Sequence, residues 1–394
     1  MACEDTLVTL RRDLHQIPEV GLRLPRTQER VLAALAPLGL EIATGQELDS
    51  VVAVLRGRAP AEGERRVALL RGDMDALPVT ERSGEDFAST NGAMHACGHD
   101  LHMAMLVGAA QRLARRVEEL PGDVVFMFQP GEEGDDGARR MIEEGLLEAA
   151  GRRPDAAFAL HVWASTFPTG SFATRPGTVM AASDPLDVVV HGRGGHGSAP
   201  HLAKDPVPVL AEIIGQIQVM LARRFDLFDP ALVTVGHLGA GEARNVIPDT
   251  AWFEATMRTF SPEARERLFA HLAELLEGIG RAHGVEVEHT MTRLYPVTLN
   301  DAEQTAVAMT AVRELFGDDR LLELEHSMTA SEDFSKVLEE VPGCFLLLGA
   351  APAGLDPAQA PNNHSAEARY DESVLGDGAD LLAELAVRTL TPTA

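Results

Sequence analysis

The sequence of 394 residues has few cysteines and no long apolar run, and each absence excludes a class of protein. Three cysteines, a small and odd number, argue against a disulfide framework and favour reduced thiols. No apolar run approaches the roughly 18 residues of a membrane span, and the acidic start of the chain is unlike a signal peptide. These absences predict a cytoplasmic protein.

Positive charge is also scarce. The chain contains 34 Lys and Arg residues against 60 Asp and Glu residues, which gives a formal net charge of −26. It has no basic stripe, and pairs such as Arg65-Arg66 and Arg223-Arg224 are isolated. Because an acidic surface repels phosphate groups, we expect neither a nucleic-acid partner nor binding to a membrane surface.

Several common catalytic motifs are missing as well. The sequence lacks H-E-x-x-H, the phosphate-binding G-x-x-x-x-G-K-[ST] and the nucleophile elbow G-x-S-x-G. Residues Gly192–Gly197 formally fit the dinucleotide pattern G-x-G-x-x-G, but that pattern requires a helix to follow directly. Since seven other residues intervene before Asp205, we expect this loop to present His196 to a substrate instead.

Length and element order predict two domains, because single cores stop growing at roughly 250–300 residues. Apolar runs alternate with helical segments over the first 180 residues, which predicts an α/β fold with a mostly parallel sheet covered by helices. The runs are Val51–Leu55, Val67–Leu70, Val124–Phe128 and Phe158–Val162. Strand Cys344–Leu348 and a helix near residues 371–388 continue the pattern after residue 296.

The middle of the chain has a different order of elements. Strand, helix, two strands, helix and strand follow one another, which is the split ferredoxin-like pattern of an α+β domain. Asp205-Pro206 and Ser261-Pro262 are typical starts of its two helices. We therefore expect residues 184–296 to be inserted into a domain formed by residues 1–183 and 297–394.

Residues Met94–His102 contain three histidines, one cysteine and one aspartate before an apolar helix. Imidazole and thiolate bind zinc-like cations, and a loop entering a helix can direct Cys97 and His99 to one side. His95 and His102 are expected to be bystanders. The alternatives are a surface histidine cluster beside a buried cysteine, or Cys97 as a nucleophile.

Polar residues follow other predicted strands too. Glu132 and Glu133 lie in a turn, where adjacent side chains diverge, so that one can bind a metal while its neighbour acts as general base. His161 ends a strand and His364 lies in a polar loop. With the Cys-x-His pair these residues supply five ligands, more than one tetrahedral site needs, which favours two metal ions about 3.5–4 Å apart.

Seven motifs spread over nearly the whole chain carry a resemblance to a known family. They are Arg71–Pro78, His95–Asp100, Phe128–Gly134, Ala159–Val162, Gly192–Pro200, Arg244–Asp249 and Ser331–Phe334. With these motifs the sequence resembles the dinuclear-metal aminoacylase and carboxypeptidase superfamily. Within it the sequence is similar to the amidohydrolase branch that includes hippurate hydrolase and indole-acetyl-amino-acid hydrolase.

The resemblance implies a catalytic domain with an inserted lid. The exposed helices and sheet edge expected of the lid favour a homodimer that forms through it. It implies two divalent metal ions per subunit, zinc or manganese foremost and cobalt or nickel as alternatives. The implied roles are metal ligation by Cys97, His99, Glu133, His161 and His364, base catalysis by Glu132, and substrate contacts from His196, Asn245 and Arg258. The roles of Asp73 and Asp75 stay open.

The expected reaction is hydrolysis of an N-acyl amino acid, hippurate-like or N-acetylated, to an acid and a free amino acid. Glu132 would take a proton from a water between the metals and pass it to the leaving nitrogen. Alternatives with the same chemistry are a dipeptidase, a carboxypeptidase or a biosynthetic deacetylase. An alternative of another class is a metal-dependent binding protein without catalysis, against which the presence of both Glu132 and Glu133 argues.

Overall fold

The computed structural model describes residues 3–61 and 63–391. In chain order its helices and strands are α1 (Cys3–His15), α2 (Pro25–Leu35), β1 (Glu41–Thr44), β2 (Val51–Arg56), β3 (Val67–Asp73), α3 (His99–Arg115), β4 (Asp123–Gln129), α4 (Gly137–Glu143), β5 (Ala156–Trp163), β6 (Phe172–Thr174), β7 (Gly177–Met180), β8 (Asp184–His191), β9 (Gly195–His196), α5 (Pro206–Arg224), β10 (Ala231–Ala240), β11 (Val246–Ile247), β12 (Thr250–Thr259), α6 (Pro262–His283), β13 (Glu286–Met291), β14 (Thr298–Asn300), α7 (Ala302–Phe316), β15 (Leu321–Glu323), α8 (Ser335–Glu340), β16 (Gly343–Gly349) and α9 (Val374–Leu390).

The chain divides into two compact units. Unit 1 contains the described residues up to Val179, Leu299–His326, and those from Asp333 onward, whereas unit 2 contains Met180–Thr298 and Ser327–Glu332. The predicted insert covered residues 184–296, so unit 2 is a few residues longer at each end and includes a second short segment. The function of each unit stays a prediction.

Unit 1 is built on a mixed sheet whose centre is parallel. Its strand order is β1-β2-β4-β3-β5-β16-β6-β15, and the four neighbours β4, β3, β5 and β16 run parallel. Every residue of β3, β4 and β16 is buried. Strands covered on both faces carry continuous apolar runs without alternation, and this confirms the predicted α/β fold. Towards the edges, β2 is antiparallel to β4 and β6 is antiparallel to β16.

Helix α3 lies in the core of unit 1. Its residues His99–Ala110 are all buried, and it packs against α1, α9 and β3. Residues 103–110 are apolar on every side of the helix, and such a segment is stable only when it is surrounded in this way. The packing fixes the first turn of α3, which carries His99, close to the end of β3.

Unit 2 has an antiparallel four-stranded sheet in the order β10-β12-β8-β13. Helices α5 and α6 pack against this sheet through one apolar cluster. Both helices begin as predicted, with Asp205 accepting a hydrogen bond from the Val207 amide and Ser261 from the Ala264 amide. The order β8, α5, β10, β12, α6, β13 is the predicted ferredoxin-like arrangement.

The sequence reasoning missed some elements. Helix α7 was not predicted, although Asp301 caps it by accepting a hydrogen bond from the Gln304 amide. The two-residue strands β9 and β11 were also missed, because so short a pair leaves no period to detect. Among the described residues, no helix combines the length and apolar character needed to cross a membrane. The cytoplasmic location stays a prediction.

Candidate metal centre

Side chains that can bind a cation meet at the carboxyl ends of the parallel strands of unit 1. Their ligand atoms form three overlapping groups, in each of which all atoms lie within 4.8 Å of one another: Cys97, His99 and His161; Cys97, Glu133 and His364; and His99, Glu132 and Glu133. The structure therefore brings together all five predicted ligands and the predicted base. The groups overlap in Cys97, His99 and Glu133.

Gly98 allows Cys97 and His99 to share one side of the α3 entrance. Its φ is +84°, in the left-handed region that favours glycine. A Cβ at this position would also lie only 2.4 Å from Cγ2 of Val162. Close packing and backbone geometry therefore both require glycine between the two ligands.

His99 presents one ring nitrogen to the centre. Its Nδ1 donates a hydrogen bond to the backbone carbonyl of Asp75 at 2.8 Å. In the neutral ring this leaves the lone pair on Nε2, which is buried and has no hydrogen-bond partner among the described residues. Because buried polar atoms normally have a partner, this nitrogen suits a metal ion.

The Cys97 thiol lies between two further imidazoles. His161 donates from Nδ1 to the carbonyl of Val162 at 2.8 Å, and its Nε2 is 3.4 Å from Cys97 Sγ. His364 Nε2 is 3.3 Å from the same sulfur and 3.1 Å from Glu133 Oε1. Cys97 Sγ can therefore bind a cation together with His99 and His161, or together with Glu133 and His364.

The electrostatics of the cluster also fit a divalent cation. Hydrogen bonds to Cys97 and Glu133 raise the pKa of His364 to about 10. Burial alone would lower the pKa of His99, but the charge of Asp73 and neighbouring hydrogen bonds raise it well above 6.5. Both shifts indicate an excess of negative charge. Thiolate, imidazole and carboxylate are also the ligand set of zinc-like cations.

Asp75 holds the turn that carries the two adjacent glutamates. Its Oδ1 accepts a hydrogen bond from the Glu132 amide and its Oδ2 from the Glu133 amide, both at 3.0 Å. Asp75 is fully buried, and its own carbonyl orients His99. It therefore positions the turn and one imidazole together. In the sequence, the only sign of this role is that Asp75 is a second carboxylate just after the end of β3.

Asp73 and His102 form a separate support under the cluster. They group with His99 by distance, but Asp73 Oδ2 accepts from Arg71 Nη1 and Oδ1 from His102 Nδ1, both at 2.5 Å. His102 Nε2 accepts from the Val162 amide at 2.8 Å. Both ring nitrogens of His102 are therefore occupied by hydrogen bonds, and each carboxylate oxygen of Asp73 already has one donor. His102, predicted to be a bystander, thus belongs to the support.

The three predicted substrate contacts lie in unit 2. Pairing of β9 with β11 sets Val246 opposite His196, and the Gly197 amide donates to the Asn245 carbonyl at 2.8 Å, so His196 and Asn245 lie near each other. Arg258, on β12, is half-buried, and its Nη1 has no hydrogen-bond partner within the described part of the chain. Burial lowers the pKa of Arg258, so an anion would stabilise its charged form.

The comparisons with known proteins agree with this fold. The chain belongs to Peptidase family M20/M25/M40, whose sequence profile matches residues 69–388. This confirms the predicted superfamily, and the chain is a hydrolase that acts on amide bonds.

Two relatives and one solved structure span nearly the whole chain. Thermostable carboxypeptidase 2 of Saccharolobus solfataricus is 36% identical over 390 residues, which cover 98% of this chain and 95% of that protein. N-acetyldiaminopimelate deacetylase of Geobacillus sp. is 34% identical over 371 residues, 93% of this chain and 95% of that protein. A dinuclear metal-binding M20 peptidase of Bacillus subtilis superposes with a TM-score of 0.84 at 32% identity, covering 100% and 99% of the two chains.

Proposed function

We propose that the protein is a metal-dependent amidohydrolase that cleaves N-acyl amino acids with two divalent ions bound in unit 1. The overlap of two ligand groups carries this proposal, since Cys97 belongs both to the group with His99 and His161 and to the group with Glu133 and His364. Glu132 belongs to neither of these two groups, which leaves it available as the base. The dinuclear metal-binding relative from Bacillus subtilis supports the same number of ions. Zinc or manganese is the proposed metal, with cobalt or nickel as alternatives.

The proposed ligands are those predicted: Cys97, His99, Glu133, His161 and His364. Two bound cations would polarise the acyl carbonyl and lower the pKa of a water molecule. The Glu132 carboxylate would accept a proton from the water and deliver it to the leaving amide nitrogen. Through its backbone hydrogen bonds, Asp75 would keep Glu132 in place during both transfers.

Residues of unit 2 would bind the rest of the substrate. His196 would stabilise the negative charge that develops on the carbonyl oxygen, and Asn245 would contact the amide. Arg258 would pair with the α-carboxylate through its guanidinium group. The half-buried guanidinium without a partner at Nη1 supports this last role.

The substrate class is the part of the proposal that needs a direct test. The relatives include proteins named as a deacetylase and as a carboxypeptidase. Metal-loaded protein should therefore be assayed with N-acetyl amino acids, benzoylglycine and dipeptides that release the same amino acid. We expect release from the N-acyl substrates to be faster. Faster release from the dipeptides would favour a peptidase, and no release from any of them would refute the proposal.

We also propose that unit 2 joins two copies of the chain. β10 is an edge strand of ten residues, and Leu227 and Phe228, which precede it, are 89% and 97% exposed. Exposed strand edges and apolar side chains of this kind favour association. Sedimentation velocity should give twice the mass of the chain, and Phe228→Ser should weaken the dimer. A monomer at every concentration would contradict it.

A further inference from the structure

Asn363 connects the chain segments that carry three of the proposed ligands. It directly precedes His364 in sequence. Its Nδ2 donates to the Val162 carbonyl at 3.1 Å and lies 3.4 Å from the Cys97 carbonyl. Its Oδ1 accepts from the Ala164 amide at 2.8 Å. One side chain thus joins the end of β5, the loop before α3 and the loop before α9.

These contacts require an amide in one orientation. Reversing the side chain would place its NH2 group against the Ala164 N–H and its oxygen against two carbonyl oxygens. The Val162 carbonyl also accepts the hydrogen bond from His161 Nδ1. Asn363 therefore binds the same oxygen that orients the His161 ring.

The neighbouring ligand needs such support because its backbone is strained. His364 has φ +70°, in the left-handed region. For a residue other than glycine this conformation is strained, and it persists only where the surrounding structure holds it. The His364 amide donates to the Ala96 carbonyl at 2.8 Å, and the side chain of Asn363 ties the same loop to β5.

We propose that Asn363 is a positioning residue that sets the affinity of the centre for its metal ions. It would do so by keeping the segments of Cys97, His161 and His364 at fixed separations. This inference rests on the proposed function, because it requires metal binding by these three side chains.

The test measures Co²⁺ binding in wild type, Asn363→Ala and Asn363→Asp by competition with a chelator. Absorption from a thiolate–cobalt bond reports on Cys97. Loss of a group that orients metal ligands typically weakens metal binding about 10- to 100-fold, and we expect this for both variants. Asn363→Asp should be at least as weak as Asn363→Ala, because its carboxylate faces two carbonyl oxygens.

Asn362→Ala is the matched control in the same loop. The side chain of Asn362 accepts hydrogen bonds from Ser165 Oγ and from the Asn363 amide, and no described hydrogen bond joins it to Cys97 or His161. Its Co²⁺ affinity should stay within about threefold of wild type, since it orients no ligand. Melting of the metal-free proteins shows whether each variant folds, and excess Co²⁺ should restore hydrolysis to folded Asn363 variants.

Two results would overturn the inference, and they are distinguishable. In the first, wild type shows thiolate–cobalt absorption, but the Asn363 variants keep the wild-type affinity for Co²⁺ and only melt at a lower temperature. Asn363 would then be merely structural, and the proposed function would stay intact. Wild type without this absorption would exclude Cys97 as a ligand, and with it both the proposed ligand set and the role of Asn363.

Discussion

Replacing Asp75 by asparagine should loosen the glutamate turn while leaving the size of the side chain unchanged. The carboxylate accepts one hydrogen bond from each amide of Glu132 and Glu133. An asparagine oxygen can accept only one of them, and its NH2 group would face the other N–H. A hydrogen bond to a charged group contributes about 1.5–3 kcal/mol, and an unpaired buried donor costs about 1–3 kcal/mol.

We therefore expect Asp75→Asn to lower the free energy of unfolding of unit 1 by about 3 kcal/mol. Because Glu132 moves with the turn, kcat should fall about 10- to 100-fold. The chain has two tryptophans, Trp163 in unit 1 and Trp252 in unit 2. In a Trp252→Phe background, urea unfolding followed by fluorescence reports on unit 1 alone.

Asp155→Asn is the matched control for this prediction. Asp155 also accepts a backbone hydrogen bond, from the Val67 amide at 2.8 Å, but Val67 lies at the opposite end of β3. It should lose about 1 kcal/mol of stability with kcat unchanged. The reasoning fails if Asp75→Asn keeps both wild-type kcat and wild-type stability, or if both variants lose kcat equally.

Three further predictions concern stability. Gly98→Ala should lower the free energy of unfolding of unit 1 by about 2–4 kcal/mol through strain and overpacking, and reduce bound metal, as unfolding curves and metal analysis would show. Burial alone would lower the pKa of His15, but the charge of Asp100 and hydrogen bonds to Asp100 and Glu81 raise it from 6.5 to about 9. The stability that protonated His15 contributes is therefore complete below pH 6.5 and is lost as the pH rises through 9. We expect His15→Gln to lower the free energy of unfolding by about 3 kcal/mol at pH 6 and by far less at pH 9.5, as measured by urea unfolding. Asp184→Ala removes both hydrogen bonds from buried Arg265, at 2.8 and 2.6 Å, and should destabilise unit 2 by about 3–5 kcal/mol, measured by Trp252 fluorescence in a Trp163→Phe background.

The sequence predicted the elements that have a strong pattern. Apolar runs of five residues located β2, β4, β5 and β16, and the Asp-Pro and Ser-Pro pairs located the starts of α5 and α6, respectively. The candidate residues of the metal centre also carry a sequence signal, because Cys97 and His99 stand together before an apolar helix and Glu132 and Glu133 are adjacent in a turn. His161 at the end of a strand and His364 in a polar loop completed the set of five ligands, and the family resemblance implies the same five residues.

Hydrogen bonds between loops that are distant in sequence were beyond prediction. The carboxylate of Asp75 just after β3 marked a polar position but not its partners in the glutamate turn, and nothing in the residue types shows that Asn363 reaches the carbonyl of Val162. Both contacts depend on how separate loops meet in three dimensions. The hydrogen bond between His102 and Asp73 was hidden for the same reason, since the two residues lie 29 positions apart in sequence.

Glu132→Gln gives the most direct test of the proposed mechanism, measured as metal content and N-acyl amino acid hydrolysis on the same sample. Glutamine keeps the shape of the side chain but cannot accept and return a proton. Wild type should bind two divalent ions per chain, and Glu132→Gln should bind the same number and lose at least about 100-fold in kcat. A variant that retains both ions and hydrolyses the substrate at the wild-type rate would contradict the role of Glu132 as the base.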